Sequence, residues 1–436
     1  MQRLLAGILY LIVFITLFVN SAAAKESRAA AGPQAVTSGD KGELLRVVVL
    51  SRHGVRSPTA SPETRARWTV SKWPDFKVPP GYLTPRGGEL VQLVGAYYRD
   101  YLAEQGLFSR AGCPARERVQ VHADVDQRTQ ATAERIVEGF APGCGLPVRK
   151  ADSERDPLFH PVEANLCKFN LEQARASVMQ RAGGDFAALA GTERDALQTL
   201  QGVLQCCTPR MCDKSFGGPG GPCTLPALPT RLKVDPAKIS LEGGLAIAST
   251  YAEILLLEYG NGFSGKEFGF GRADLAKMQQ GFKLHALTSG IVQRAPYIAQ
   301  RQGSMLLGKI TDALLVETGD PRLLLLVGHD TNIDNVAALL GASWHLQGYR
   351  ANQTPPGGAL AFELRRGRDG QLRVYGTYLS QSLSQLRDAR PLSVRSPPLK
   401  QALRIPACSS DREGHPCLLA DFVKAARLAV DPACMR

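Results

Sequence analysis

Residues 52–58, Arg-His-Gly-Val-Arg-Ser-Pro, set two guanidinium groups on either side of one imidazole. A guanidinium is a planar fork that matches phosphate oxygens in bidentate fashion. A neutral imidazole nitrogen is a competent nucleophile and can carry a phosphoryl group as a covalent intermediate. Gly54 lets the backbone turn and approach a ligand closely, and Pro58 stiffens the exit. Phosphomonoester hydrolysis is among the slowest uncatalysed reactions. Splitting it into two transfers, with cations around the equatorial oxygens, lowers that barrier directly. A second cluster, His329-Asp330, supplies a carboxylic acid to protonate a leaving oxygen and an imidazole to bond a phosphate oxygen. Arg128 adds a third guanidinium in the first turn of a helix, where anions are favoured. A lone His-Asp pair arises by chance in about every second chain of this size, whereas five fixed residues in R-H-G-x-R-x-P arise in roughly one in ten thousand. The scheme needs no metal, and the sequence has no pair of CxxC or HxxxH elements of the kind that hold zinc. No metal or cofactor is expected.

These residues need elements to hold them. Glu43 to Ser51 is a β-branched apolar run, read as a buried strand that ends at Arg52. Arg322 to Val327 is a second such strand, ending at Gly328-His329-Asp330. In open α/β sheets, ligands sit beyond the carboxyl ends of strands, so both clusters are expected to face one crevice. A helix is predicted from Thr84-Pro85, with Thr as N-cap and Pro at the first helical position. Arg118 to His122 alternates as a short strand, and a helix is predicted from Asp124 to about Phe140. Residues 160–310 read as mostly helical, with a Cys-, Gly- and Pro-rich loop from Cys206 to Pro229. Ala359 to Leu364 and Arg373 to Leu379 read as late strands. The expected fold class is α/β: a sheet domain built from both chain ends, 43–159 and 311–436, with an inserted helical domain at 160–310.

The 436 residues are 44% apolar and 21% charged, which excludes collagen-like, low-complexity and wholly disordered chains. The net charge of +12 favours anionic partners without choosing among them. Nucleic acid is disfavoured, because the basic residues are scattered with few aromatics among them. Met1 to Ala24 reads as a signal peptide: Arg3, the apolar stretch Leu4–Val19, then Ala22 and Ala24 in an A-x-A pattern. The alternative is an uncleaved anchor, but the stretch is shorter than the roughly 20 residues that span a bilayer. Residues 25–42 read as a loose leader. An exported chain meets an oxidising compartment, so its ten Cys are disulfide candidates. Spacing suggests Cys212–Cys223 and Cys408–Cys417 but fixes no connectivity.

The RHGxRxP signature at 52–58 and the HD pair at 329–330 resemble the histidine acid phosphatases, and the closer resemblance is to bacterial periplasmic phytases, with glucose-1-phosphatases as near relatives. Further similar stretches are Leu83-Thr-Pro-Arg-Gly-Gly-Glu-Leu, Ala123-Asp-Val-Asp-Gln-Arg-Thr, Asp156-Pro-Leu-Phe and Thr354-Pro-Pro-Gly-Gly. The resemblance covers essentially the whole chain after the leader. It implies a histidine phosphatase fold, hydrolysis of phytate (myo-inositol hexakisphosphate) and a periplasmic or secreted location. His53 would be the nucleophile and Asp330 the proton donor. Arg52, Arg56, Arg128 and His329 would bind the scissile phosphate, and Thr59, Asp124, Arg294 and Thr331 would shape the rest of the pocket. It further implies the disulfides Cys113–Cys144, Cys167–Cys434, Cys212–Cys223 and Cys408–Cys417, leaving Cys206 and Cys207 to pair with each other or reshuffle the loop pairing. Ala60 and Thr250 depart from the better-known enterobacterial phytases, which carry Lys and Met there. The partner expected is a small-molecule phosphomonoester, acted on by a monomer with no lasting membrane association. Rival expectations are a glucose-1-phosphatase, a mutase of the wider RHG group and a non-catalytic phosphoanion-binding protein. The signal peptide and Cys content argue against the mutase. Holding both His53 and Asp330 argues against mere binding, which needs neither nucleophile nor acid.

Overall fold

The computed structural model describes residues 41–435 apart from 210, 213–222, 316–318 and 320. The expected signal peptide, and the expected leader up to residue 40, lie outside these residues. The chain opens with β1 (Glu43–Arg52), α1 (Pro62–Trp68) and α2 (Pro85–Glu104), followed by β2 (Val119–Ala123), α3 (Gln127–Phe140) and β3 (Val148–Arg149). A helical stretch comes next: α4 (Leu171–Arg181), α5 (Phe186–Thr192) and α6 (Arg194–Leu204), the hairpin of β4 (Arg231–Val234) and β5 (Ile239–Glu242), then α7 (Gly244–Gly260), α8 (Leu275–Val292) and α9 (Pro296–Leu315). The chain returns through β6 (Leu323–Gly328), α10 (Asp330–Leu339), β7 (Ala359–Arg366), β8 (Leu372–Ser380), α11 (Leu383–Asp388), β9 (Leu399–Ala402), β10 (Cys417–Leu418) and α12 (Leu419–Ala429).

The main sheet runs β10-β8-β7-β1-β6-β2-β3, with β9 beside β8. Strands β1, β6, β2 and β3 are parallel to their neighbours in that run, and β7 pairs antiparallel with β1. Helices cover both faces of the central strands, which is why β1 and β6 read as unbroken apolar runs rather than alternating ones. Val47, Val49, Leu323 and Leu325 join one core with Val91 and Val94 of α2 and Ile136 of α3. Val48, Leu50, Leu324 and Leu326 point the other way, into a core shared with Leu307 of α9, Ile333 of α10 and Leu255 of α7. The pleat sends successive side chains to opposite faces, so one run of sequence anchors two layers of helix.

The parallel register decides which residues meet at the sheet's end. Ser51 lies opposite Val327, and Ala123 lies opposite the same Val327. The carboxyl ends of β1, β6 and β2 are therefore level, one strand spacing of about 4.8 Å apart. The residues at and just past these three strand ends, Arg52-His53, His329-Asp330 and Asp124, emerge into one crevice, as the buried-strand pattern predicts.

Two local readings change. The helix expected from Asp124 begins at Gln127 instead, with Asp126 in the N-cap position; Asp124 stays in the strand exit because its carboxylate is engaged by two imidazoles. The hairpin β4–β5 was not expected within the helical stretch. Its strands are four residues each and alternate polar and apolar, Arg-Leu-Lys-Val and Ile-Ser-Leu-Glu, so the signal was present but brief. The helix predicted at Thr84-Pro85 is present, and Thr84 caps it by accepting the Gly87 N–H at 2.9 Å. The four disulfides implied by the resemblance are formed, and Cys206 pairs with Cys207.

Candidate active site

The loop after β1 is held from below and behind. The His53 N–H donates to Gly328 O, and Gly357 N–H donates to His53 O, each at 2.9 Å. Gly54 is where α2 crosses closest: a Cβ there would sit 2.8 Å from Val91 Cγ1, and one on Gly87 would run into the Val55 carbonyl. Only glycines at both points let the loop and helix approach this far.

His53 is buried, with its Nδ1 2.9 Å from Gly54 O. A carbonyl only accepts, so Nδ1 carries the proton and the neutral ring keeps its lone pair on Nε2. Burial, and then the Arg52, Arg128 and Arg56 cations, hold its pKa well below the usual histidine value. The ring therefore stays neutral, and nucleophilic, in acid that would protonate a free imidazole.

Arg52 has no solvent exposure. Its guanidinium donates to Thr354 O and to Glu253, and lies 3.1 Å from Asp330 Oδ2. Arg56 donates to Ser57 O at 3.0 Å and sits 3.9 Å from Glu253 Oε1; burial lowers its pKa to about 10. Glu253, from α7, thus lies between two arginines, with His285 Nε2 of α8 at 3.7 Å. Burial disfavours its charge, but Arg52, His285 and Arg56 outweigh that and hold its pKa below the usual carboxylate value. Asp330 opens α10 and accepts the Thr331 N–H at 2.8 Å. Burial again opposes its charge, and Arg52, His285, Arg56 and His329 hold it ionised, well below the usual range.

On the other flank, Arg128 of α3 pairs with Asp126 at 2.7 Å and donates to His329 Nδ1 at 3.4 Å. That leaves the His329 proton on Nε2, which donates to Asp124 Oδ2 at 2.6 Å. His160 Nε2 donates to the same oxygen at 2.8 Å. Burial works against the Asp124 charge, yet these two bonds keep its pKa well below normal. The outcome is a cationic bowl: His53 beneath, Arg52 and Arg56 on one side, Arg128 and His329 on the other, Asp330 at the edge.

The structure brings together Arg52, His53, Arg56, Asp124, Arg128, His329 and Asp330. Thr331 comes directly after, at the α10 start. Thr59 is exposed on the rim, where a Cβ on Gly81 would lie 3.5 Å from Thr59 Cγ2 and 3.8 Å from Arg128 Nη1. Arg294 pairs with Asp334, one turn after Asp330. Its guanidinium is buried, 3.4 Å from Asp334, bonded to Ala342 O and 5.6 Å from the Trp344 ring. It lines a surface cavity of about 630 Å³ with Arg181 and Tyr297. One carboxylate, one carbonyl and one aromatic face hold this cation within the fold. Position 60 offers no cation, and the Thr250 hydroxyl donates to Ala246 O within its own helix at 2.9 Å.

Glu253, His160, Asp126 and His285 were missed by sequence reasoning. Glu253 had a signal: it is one of two carboxylates in the otherwise apolar α7, and both are buried. His160 had none beyond lying next to the Asp156-Pro-Leu-Phe stretch.

Residues 43–378 match the family model of the histidine phosphatase superfamily, branch 2. The chain belongs to that superfamily. It is therefore a phosphoric monoester hydrolase. This histidine phosphatase is 36% identical to the phytase AppA of Escherichia coli over 90% of its own length and 93% of that protein's. It is 28% identical to the glucose-1-phosphatase of Salmonella typhimurium over 89% of its length and 93% of the relative's. Among solved structures, the Hafnia alvei phytase in apo form superposes with a TM-score of 0.84 at 36% identity, covering 91% of this chain and 99% of that one. The same enzyme has been solved in complex with myo-inositol hexakis sulphate, at a TM-score of 0.81. None of the described helices is long and apolar enough to cross a membrane.

Proposed function

We propose that this histidine phosphatase is an exported phytase that hydrolyses phosphomonoesters in acid through a phosphohistidine at His53. The observation that carries the reading is the state of His53: Nδ1 is tied to a carbonyl, Nε2 keeps its lone pair, and three guanidinium cations act on the same ring. A phosphoryl group drawn in by Arg52, Arg56 and Arg128 meets that nitrogen. Nε2 attacks phosphorus, the ester P–O bond breaks, and Asp330 delivers a proton to the departing oxygen. Water then attacks the phosphohistidine, Asp330 takes back a proton, and phosphate leaves with Nε2 restored.

Asp330 is ionised in the free enzyme, so its proton must arrive with the substrate. A phosphomonoester loses its second proton near pH 6, so in mild acid it enters as a monoanion carrying one. Once bound, its charge occupies the arginines that otherwise hold Asp330 ionised, and the carboxylate gains affinity for that proton. Acid activity thus follows from the substrate's protonation together with the depressed His53 pKa.

Phytate is preferred over glucose 1-phosphate on two grounds. The Escherichia coli and Hafnia alvei phytases are 36% identical to this chain, and the two glucose-1-phosphatase relatives 28% and 27%. A substrate with further phosphates also gains charge-assisted bonds from a cationic bowl, each worth about 1.5–3 kcal/mol. The test is an initial-rate panel at acid pH, with kcat/KM for myo-inositol hexakisphosphate expected to exceed that for glucose 1-phosphate. Preference for glucose 1-phosphate by an order of magnitude would replace the phytase reading and leave the phosphohistidine reading standing. That reading has its own check: alkaline quenching with labelled substrate leaves label on the wild type and none on H53A.

A further inference from the structure

Four side chains on the Arg128 flank also meet in the pattern of a metal site. Asp124, Asp126, His160 and His329 each present a ligand atom, and all four atoms lie within 4.8 Å of one another. Around Asp124 Oδ2, His329 Nε2 stands at 2.6 Å and His160 Nε2 at 2.8 Å; Asp126 Oδ2 is 3.4 Å from His329 Nε2. Two imidazole nitrogens and two carboxylate oxygens form a common tetrahedral set for zinc. At zinc bond lengths of about 2.0–2.1 Å, donors in a tetrahedron stand roughly 3.3 Å apart. Two of the separations are below that spacing, one is close to it, and all lie within 4.8 Å, so an ion would enter by widening two contacts by about 0.5 to 0.7 Å and drawing the other donors onto it. Asp124 is fully buried and His329 nearly so, while His160 and Asp126 are half-exposed and give a way in.

We propose that Asp124, Asp126, His160 and His329 form an inhibitory site for one divalent transition-metal ion of the zinc class. Inhibition follows from the same geometry. A metal on His329 Nε2 takes the lone pair there, so the neutral ring's single proton must shift from Nε2 to Nδ1. Nδ1 now accepts from Arg128 Nη2; with a proton there, donor faces donor and the contact is lost. The metal also draws the Asp126 carboxylate away from Arg128, breaking the 2.7 Å ion pair. Arg128 loses both groups that fix its guanidinium, on the flank where the phosphoryl group is held. The inhibition rests on the proposed phosphate role of Arg128, whereas binding of the ion does not.

The test uses purified protein in a non-chelating buffer near neutral pH. Zinc binding is measured by calorimetry and by metal content after gel filtration, and the rate is followed with p-nitrophenyl phosphate, which sequesters zinc far less than phytate. The expected result is one zinc per chain, with inhibition rising at the same concentrations as binding and reversed by chelator. H160Q keeps an amide donor for Asp124 but is a poor ligand, and D126N removes a carboxylate at the rim. Both are expected to weaken zinc binding by at least about tenfold, and their circular dichroism and melting curves show that they are folded. The proposal is overturned if zinc does not bind at one per chain, if neither folded variant weakens binding, or if the rate is unchanged with the site filled. Failure of the phytase reading would appear in the substrate panel and leave the zinc stoichiometry untouched.

Discussion

Glu253 balances the cation cluster. It stands between Arg52 and Arg56, with His285 beyond, and is buried with little solvent to share its charge. E253Q keeps the shape and removes the negative charge. Arg52 then loses a charge-assisted bond of about 1.5–3 kcal/mol, so kcat is expected to fall about ten- to a hundredfold. The bowl becomes more positive at the same time, so inorganic phosphate is expected to inhibit at lower concentration. Unchanged kcat and unchanged phosphate inhibition in steady-state assays would show that Glu253 does not tune this site. For Asp330, D330N keeps the size but delivers no proton. General acid catalysis contributes about a hundred- to ten-thousand-fold. The loss is expected to be large for alkyl phosphates and small for p-nitrophenyl phosphate, whose leaving group needs no proton. Equal losses would give Asp330 another role. These residues differ in how openly the sequence announces them. Arg52, His53, Arg56, His329 and Asp330 are adjacent or nearly so, and their types are unusual together. Glu253 and His160 reach the cluster only through tertiary packing, from positions 201 and 107 residues beyond Arg52 and His53 in the chain, with nothing local to mark them.

Helix α7 carries a second carboxylate whose situation is the reverse of the first. Glu258 is fully buried; one oxygen accepts the Gly269 N–H at 2.8 Å and the other has no hydrogen-bond partner. Burial raises its pKa from 4.5 to about 8. Below 4.5 it is protonated whether the chain is folded or not. Between 4.5 and 8 the folded protein keeps a proton that the unfolded chain has released. Stability from this group is therefore fully present below 4.5 and declines by up to about 1.4 kcal/mol per pH unit as pH rises toward 8. E258Q removes the titration, so its melting temperature is expected to fall less steeply than that of the wild type across this window and to exceed it at neutral pH. Parallel slopes in calorimetry would refute a buried neutral Glu258. At this scale the sequence was legible where burial writes a pattern. Strands β1 and β6, covered on both faces, read as uninterrupted apolar runs, and α2 carries its Thr-Pro start. The hairpin β4–β5 was overlooked although Arg-Leu-Lys-Val and Ile-Ser-Leu-Glu alternate about a turn, because each strand is only four residues long. That Asp334 and Trp344 would enclose Arg294 was not legible, because they meet it only through tertiary packing.

At the scale of the whole molecule, five pairs of cysteines cross-link a chain whose catalytic bowl is already fixed by the level ends of β1, β6 and β2. Cys167, just before α4, is joined to Cys434, just after α12, across 267 residues of sequence. Spacing alone does not disclose a bridge of that span; among ten cysteines only the two local pairs can be suggested by proximity, and the resemblance supplied the rest. The bridge acts on the unfolded chain, because closing a long loop removes more conformational freedom there than closing a short one. Native disulfides are typically worth about 2–5 kcal/mol. In a domain of this size, with unfolding entropy of about 2.1 cal/mol/K per residue, that corresponds to a fall in melting temperature of about 2–6 °C for C167S/C434S. C408S/C417S, which opens a loop of nine residues' separation, is expected to lose less. Neither substitution touches the bowl, so kcat/KM at moderate temperature is expected to equal that of the wild type in both. Calorimetry with a parallel rate assay separates the outcomes. A lower melting temperature with intact kcat/KM places the long bridge in stability alone, whereas a matching loss of activity would mean that the chain's last turn helps hold the site through α9 and α10.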